Sequence, residues 1–381
     1  MTRRHDAIVV GVGSMGSAAA FHLARRGVSV LGLEQFAIGH DRGSLHGLSR
    51  IIRLAYHEHP DYVPLLRRSY ALWRELEALQ DVALFETTGS IELGASTGPL
   101  VQGTLAACAE HGLAYELLAP DDLVARFPAY NPRADWVGVL QPDAGFLRPE
   151  ASVAAHAAAA RAAGADLREG VTVLSWSASG DGVTVETTAG SFSADRLVLA
   201  PGAWAAGLFS LPPRLFQAAR QVVAWFAPTA PDLFAPERFP VFIVEEDGIN
   251  HYGFPPVDGA GFKIGRMHHP GQPVSDPASL DRVAADSEVA VLRSFVERVF
   301  PQAAGSLLDA QACLFTNTPD SRFVLDTHPD AENVVIVSAC SGHGFKFAPV
   351  VGEIAADLAL DGNTDHPIDF LHLDRFLADA A

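Results

Sequence analysis

Ala7-Ile8-Val9-Val10-Gly11-Val12-Gly13-Ser14-Met15-Gly16 is a short apolar, β-branched run that breaks into a glycine-spaced turn. Ser14 to Arg26 is small and helix-compatible, and Val28-Ser29-Val30-Leu31-Gly32-Leu33-Glu34 reads as a second strand. The three segments form a βαβ unit. Gly11 permits the tight turn. Gly13 lets the backbone approach a pyrophosphate where the helix begins at Ser14 and Met15, and Gly16 lets helix and strand pack closely. Glu34 closes the second strand, where a carboxylate accepts hydrogen bonds from ribose hydroxyls and repels a 2′-phosphate. A dinucleotide lacking that phosphate is expected.

The chain has 381 residues, 49% of them hydrophobic, which is more than one core accommodates, so two domains are expected. Its formal charge of −18 disfavours a nucleic-acid partner, since such binding draws on Lys and Arg neutralising phosphates. Local pockets can still carry the opposite sign. Cys108, Cys313 and Cys340 are too scattered for a disulfide framework or a zinc site, which fits a reducing compartment. A first strand starting by Asp6 leaves no room for an export signal. The Ala-rich run from Ala151 to Ala165 is interrupted by His156 and Arg161, so no membrane span is expected. These features describe a soluble, cytoplasmic protein that binds no metal.

Further along, Tyr62 to Leu79 has helical apolar spacing at Leu65, Leu66, Leu72, Trp73 and Leu76 and reads as scaffold. Short strands such as Gly89-Ser90-Ile91-Glu92-Leu93 surround a helix near Pro99 to His111. Gly170-Val171-Thr172-Val173-Leu174, Val183 to Thr187 and Arg196 to Ala200 read as strands, the last running into Pro201-Gly202-Ala203-Trp204. From Leu215 to about Leu307 strands and loops return. The strand Val334 to Val337 and a helix from Phe347 to Leu360 close the chain.

Several segments carry groups suited to chemistry. Lys346, in Ser341-Gly342-His343-Gly344-Phe345-Lys346-Phe347, sits in the first turn of a helix, where the macrodipole is already positive, so an anion is expected beside it. Arg50 and Arg53, in Gly43-Ser44-Leu45-His46-Gly47-Leu48-Ser49-Arg50-Ile51-Ile52-Arg53, would share one face if the segment turns helically. Lys263 lies in an alternating apolar run, Gly261-Phe262-Lys263-Ile264-Gly265, that would point it inward, where an ammonium is costly unless used. His57 and His59 flank Glu58 in what reads as a solvated loop.

The opening glycine motif, the Arg50–Arg53 segment, Cys313-Leu314-Phe315-Thr316-Asn317-Thr318-Pro319-Asp320 and the Ser341–Phe347 run occur in an order that resembles the monomeric sarcosine oxidase and N-methyltryptophan oxidase family, from Asp6 to about Leu360. The resemblance implies an α/β fold. A Rossmann-like FAD-binding domain of glutathione-reductase type would comprise residues 1–82, 149–213 and 308–381. An α+β substrate domain on a mainly antiparallel sheet would comprise 83–148 and 214–307. It implies FAD bonded through the Cys313 sulfur, with Cys340 as a competing thiol. Ser44, Ser49, Arg50, Val173, Gly202, Trp204, Gly342, His343 and Gly344 would be further cofactor contacts. Arg53 and Lys346 would clamp a substrate carboxylate, Lys346 lying also beside the flavin. Lys263 would promote the reaction with oxygen, and Tyr252 would line the pocket.

The implied reaction oxidises a secondary amine of an amino acid to an imine, which water hydrolyses to an aldehyde and an amine, with hydrogen peroxide released from O₂ by a monomer. Two departures touch the pocket. With Arg266-Met267-His268-His269 in place of the family pattern, the family histidine is either His268 or absent, and Phe315 stands where sarcosine oxidases have tyrosine. Sarcosine, N-methyltryptophan, pipecolate, proline and glycated amino acids all remain open as substrates. A dehydrogenase using another acceptor and a non-catalytic flavin module are the alternatives.

Overall fold

The structure is a computed structural model that describes residues 4–180, 182–269, 273–274 and 276–376. Its first layer is an eight-stranded sheet. The strand His5–Val10 lies between Val30–Leu33 and Gly190–Leu199 and runs parallel to both. Asp166–Arg168 adds to one side and Ala331–Ser338 to the other, also in parallel. Val173–Ser179, Gly182–Thr187 and Val324–His328 attach antiparallel at the periphery. Strands buried on both faces suit the near-continuous apolar run Ala7 to Val10. One face is covered by the helices Ser14–Ala24, Tyr62–Gln80, Pro149–Ala162 and Ala348–Asp361, through a core that includes Val9, Leu23, Trp73, Ala160 and Ile354. On the other face Ile8, Leu31, Leu197 and Phe216 form a second core.

The second layer is a nine-stranded sheet in which every pairing is antiparallel except that of Val241–Glu246 with Ser90–Ala95. Its outer face packs against the helix Asp286–Val299 in a phenylalanine-rich core containing Phe226, Phe242, Phe262, Phe295 and Phe300. Alternation along Phe262–Arg266 puts Phe262 and Ile264 into that core and turns Lys263 to the opposite side, towards the first layer. A small sheet of Arg50–Ile52, Gly145–Leu147 and Phe85–Thr87 links the two halves. The architecture is the expected one, a Rossmann-like layer joined to a mainly antiparallel sheet.

Two local expectations are corrected. The Arg50–Ile52 segment is a strand, so Arg50 and Arg53 do not share a helical face. The strand Leu307–Asn317, grouped above with the nucleotide half, pairs from Gln217↔Asn317 to Phe226↔Leu307 and so belongs to the nine-stranded sheet. Apolar pattern marks a strand but does not name its partner.

Candidate active site

A cavity of about 860 Å³ lies between the two sheets. Gly11, Gly13, Ser14, Met15 and Glu34 line it from the glycine turn. Gly11 has φ +84°, and a Cβ there would lie 2.4 Å from the Ala200 carbonyl oxygen. A Cβ on Gly16 would lie 1.7 Å from that of Gly11. A Cβ on Gly13 would instead project into open space. The helix Ser14–Ala24 begins there with no side-chain cap and no acid in its first turn, so its N–H groups and dipole can receive a phosphate. Glu34 Oε2 accepts the Val12 N–H at 2.9 Å and Oε1 accepts that of Phe36 at 3.1 Å. The carboxylate therefore braces the turn while keeping lone pairs for a ribose. Val173, Gly202 and Trp204 also line this cavity. A free glycine cradle, an uncapped helix start and a buried acid together fit a dinucleotide.

Ser44, Arg50, Cys313, Cys340, Gly342, His343 and Gly344 line the same cavity. Burial pushes the Cys313 thiol up, against the pull of Arg50 and Lys263. Cys340 Sγ accepts the Thr316 N–H at 3.4 Å. Ser44 Oγ donates to the Leu314 carbonyl, which ties this loop to the strand bearing Cys313. Arg50 donates to the carbonyls of Ser44 at 2.6 Å, His46 at 2.7 Å and Ser49 at 2.7 Å, curling the loop around its guanidinium. His343 donates from Nε2 to the Ser321 carbonyl at 2.9 Å, so its Nδ1 accepts from the Tyr56 hydroxyl at 2.6 Å. Burial lowers its pKa to about 4 and keeps the ring neutral.

Lys346 sits in the 3₁₀ turn Phe345–Phe347, just ahead of the helix Ala348–Asp361. Its Nζ donates to the His343 carbonyl at 2.8 Å and to the Tyr56 hydroxyl at 3.4 Å. Its own carbonyl accepts from Trp73 Nε1 at 2.9 Å and from Ser69 Oγ, so the helix read as scaffold fixes this lysine. Burial, reinforced by Arg53, lowers the Lys346 pKa to about 7. Arg53 is 1% exposed, lines the cavity and places Nη2 3.0 and 2.8 Å from the two Glu58 oxygens. Burial would raise the Glu58 pKa, but Arg53 outweighs it and holds the carboxyl well below its usual range. The expected solvated loop at His57–His59 is thus corrected: His57 and Glu58 line the cavity beside Arg53.

Tyr252 and His268 reach the cavity too. Gly265 makes room for the Tyr252 ring, 2.4 Å from where a Cβ would be, and His268 is exposed with φ +51°. Gly16, Ser49 and Lys263 do not reach the cavity wall. Lys263 lies behind it, donating to the carbonyls of Gly47 at 2.7 Å and Ser49 at 3.0 Å, with Ser49 Oγ at 3.3 Å. Burial holds its pKa well below the ordinary lysine value. Sequence reading missed Tyr56, Glu58, Glu92 and Gln141. The available cue was Glu92, a lone acid between Ile91 and Leu93 in an apolar strand. Among the described residues no group of side chains is placed to hold a metal, and no helix is long and apolar enough to cross a membrane.

Residues 6–358 match the family described as FAD dependent oxidoreductase. Monomeric sarcosine oxidase of Streptomyces avermitilis is 41% identical, over 99% of each chain. N-methyl-L-tryptophan oxidase of Salmonella enteritidis is 35% identical over 98% of this chain and 99% of its own. Among solved structures, NikD, described as an unusual amino acid oxidase essential for nikkomycin biosynthesis, superposes with a TM-score of 0.86 at 28% identity, covering 97% of this chain and 98% of that one.

Proposed function

We propose, for a chain that belongs to the FAD dependent oxidoreductase family and is kin to monomeric sarcosine oxidase and N-methyltryptophan oxidase, that it oxidises the secondary amine of a carboxylate-bearing amino acid. The observation that carries this reading is a single cavity lined by the glycine cradle, Cys313 and the cations Arg53 and Lys346. The implied substrate is an N-methyl, N-alkyl or cyclic amino acid, and the products are an imine, then an aldehyde and an amine, with hydrogen peroxide. The assignment includes a cytoplasmic monomer.

When bound, FAD would supply the two-electron acceptor for the C–H beside the amine nitrogen, with dioxygen as the final acceptor. Gly11, Gly13 and Glu34 would hold its adenosine diphosphate half, and Arg50, Gly342, His343 and Gly344 would flank its ring system, with Cys313 as the covalent anchor. Neutral His343 and the backbone-satisfied Arg50 fix the walls without adding a mobile proton. At Nη2, Arg53 can take a substrate carboxylate by exchanging Glu58 for it, since both Glu58 oxygens and His57 Nδ1 already lie against that nitrogen. Lys346 is the second half of the clamp. With the acid end fixed, the substrate's α-carbon and amine are held in one orientation, so positioning and charge complementarity carry the step. Residues 83–148 and 214–317 would present the substrate pocket over a cofactor held by the remainder.

The test is a panel of N-methyl, N-alkyl and cyclic amino acids with their decarboxylated amines, followed by oxygen uptake and peroxide release. One peroxide per amine oxidised, with the decarboxylated amines inert, is expected. Flavin reduction without peroxide would make the protein a dehydrogenase. No reduction by any amino acid would leave a binding module.

A further inference from the structure

Arg53 is almost fully buried, and its donors are unequally used. Nη1 donates to the Ala55 carbonyl and Nη2 to Glu58, whereas Nε has no hydrogen-bond partner. Glu92 Oε1 lies 3.7 Å from Nε. The two acids differ in kind. Glu58 lines the cavity with a side chain 20% exposed, while Glu92 is 0% exposed and away from the cavity wall. Ser90 Oγ donates to Glu92 Oε1 at 2.6 Å, and Gln141 Nε2 donates to Oε2 at 2.6 Å. The Gln141 carbonyl oxygen in turn accepts the Ala55 N–H at 2.7 Å. Strands Ser90–Ala95 and Trp136–Gln141 therefore hold both the anion behind Arg53 and the backbone two residues beyond it.

We propose that Glu92 is a positioning residue, the fixed counter-ion that keeps Arg53 aligned when Glu58 yields the guanidinium to a substrate carboxylate. Burial pushes the Glu92 carboxyl up, and Arg53, Ser90 and Gln141 pull it back towards the ionised form. The inference rests on Arg53 as the carboxylate-binding group. A buried guanidinium that released its only acid would be left uncompensated during the exchange. A slight turn of the guanidinium closes the gap from Nε to Glu92 and satisfies the remaining donor. Glu92 is fastened by Ser90 and Gln141, so it cannot follow Arg53 into the cavity and compete with the ligand.

The holoenzyme variant Glu92→Gln keeps the shape and removes the charge. Its KM for the best secondary amino acid should rise about tenfold while kcat falls less than about threefold. Competitive inhibition by propionate should weaken about tenfold and that by propionamide should not change. Coulomb attraction alone predicts the reverse, because deleting an anion beside a guanidinium strengthens its pull on a carboxylate. Unchanged or tighter propionate binding overturns the proposal, as does an equal loss of propionate and propionamide. If Glu92→Gln does not accumulate with bound flavin, Gln141→Leu, which unfastens Glu92 and leaves its charge, must show the same selective loss. Arg53→Gln is the control. If it keeps the preference for propionate over propionamide, the reading of Arg53 itself fails; if it loses that preference while Glu92→Gln does not, only the role of Glu92 fails.

Discussion

Two buried lysines with lowered pKa values have different surroundings. Lys346 faces the cavity beside Arg53, and its folded pKa of about 7 lies below the ordinary 10.5. Between those values the unfolded chain holds a proton that the folded chain lacks. The stability penalty from this group is therefore full below about pH 7 and fades as pH rises towards 10.5. An arriving carboxylate favours the charged form, so binding should weaken by up to about tenfold per pH unit above about pH 7 and should take up a proton there. Calorimetry of propionate binding in buffers of different ionisation enthalpy measures that uptake. Affinity that is constant from below pH 7 to well above it would contradict the role of Lys346. Lys263 has no access to the cavity wall and is held by the Gly47 and Ser49 carbonyls. The role assigned to it, stabilising the superoxide formed as electrons pass to dioxygen, would require the protonated form that burial disfavours. Lys263→Met should slow flavin reoxidation at least about tenfold while leaving reduction nearly intact in stopped-flow measurements, and equal loss in both half-reactions would remove the assignment. The place of Cys313, Arg53 and Lys346 on the cavity wall was legible because each sits in a short contiguous string. Glu58 and Glu92 were not, because their meaning comes from a guanidinium brought to them by the fold.

At the scale of elements, the glycine turn separates two uses of the same residue type. A Cβ at Gly16 meets the Gly11 carbonyl, whereas a Cβ at Gly13 meets no protein atom. Gly16→Ala should therefore destabilise the folded chain by about 3 kcal/mol or more and lose the cofactor with it. Gly13→Ala, at an extended backbone position open to any residue, should melt like the parent without FAD yet retain little of it. Thermal denaturation and bound flavin per chain measure both, and full FAD content in Gly13→Ala would contradict the cradle. This βαβ unit was readable because period, turn and terminal acid agree within one stretch. The strand Leu307–Asn317 was recognisable only as a place, not as a member of a particular sheet. The Arg50–Arg53 spacing suited a helix, but pairing of Arg50↔Leu147 and Ile52↔Gly145 makes it a strand.

At the scale of the molecule, the chain carries a net charge of −18 yet gathers Arg50, Arg53, Lys263 and Lys346 around one cavity or just behind its wall. A global sign repels polyanions, and a local one selects a small acid. The glycine turn belongs to the parallel sheet and Cys313 to the antiparallel one, so a flavin bonded at Cys313 would span the interface on which the site depends. The most direct measurement is peptide mapping of the acid-denatured, protease-digested protein by mass spectrometry. A flavin adduct is expected on the Cys313 peptide and none on the Cys340 peptide, with Cys313→Ser releasing all its yellow colour into the acid supernatant. Flavin freed by acid from the unaltered protein, or found on Cys340, would contradict it.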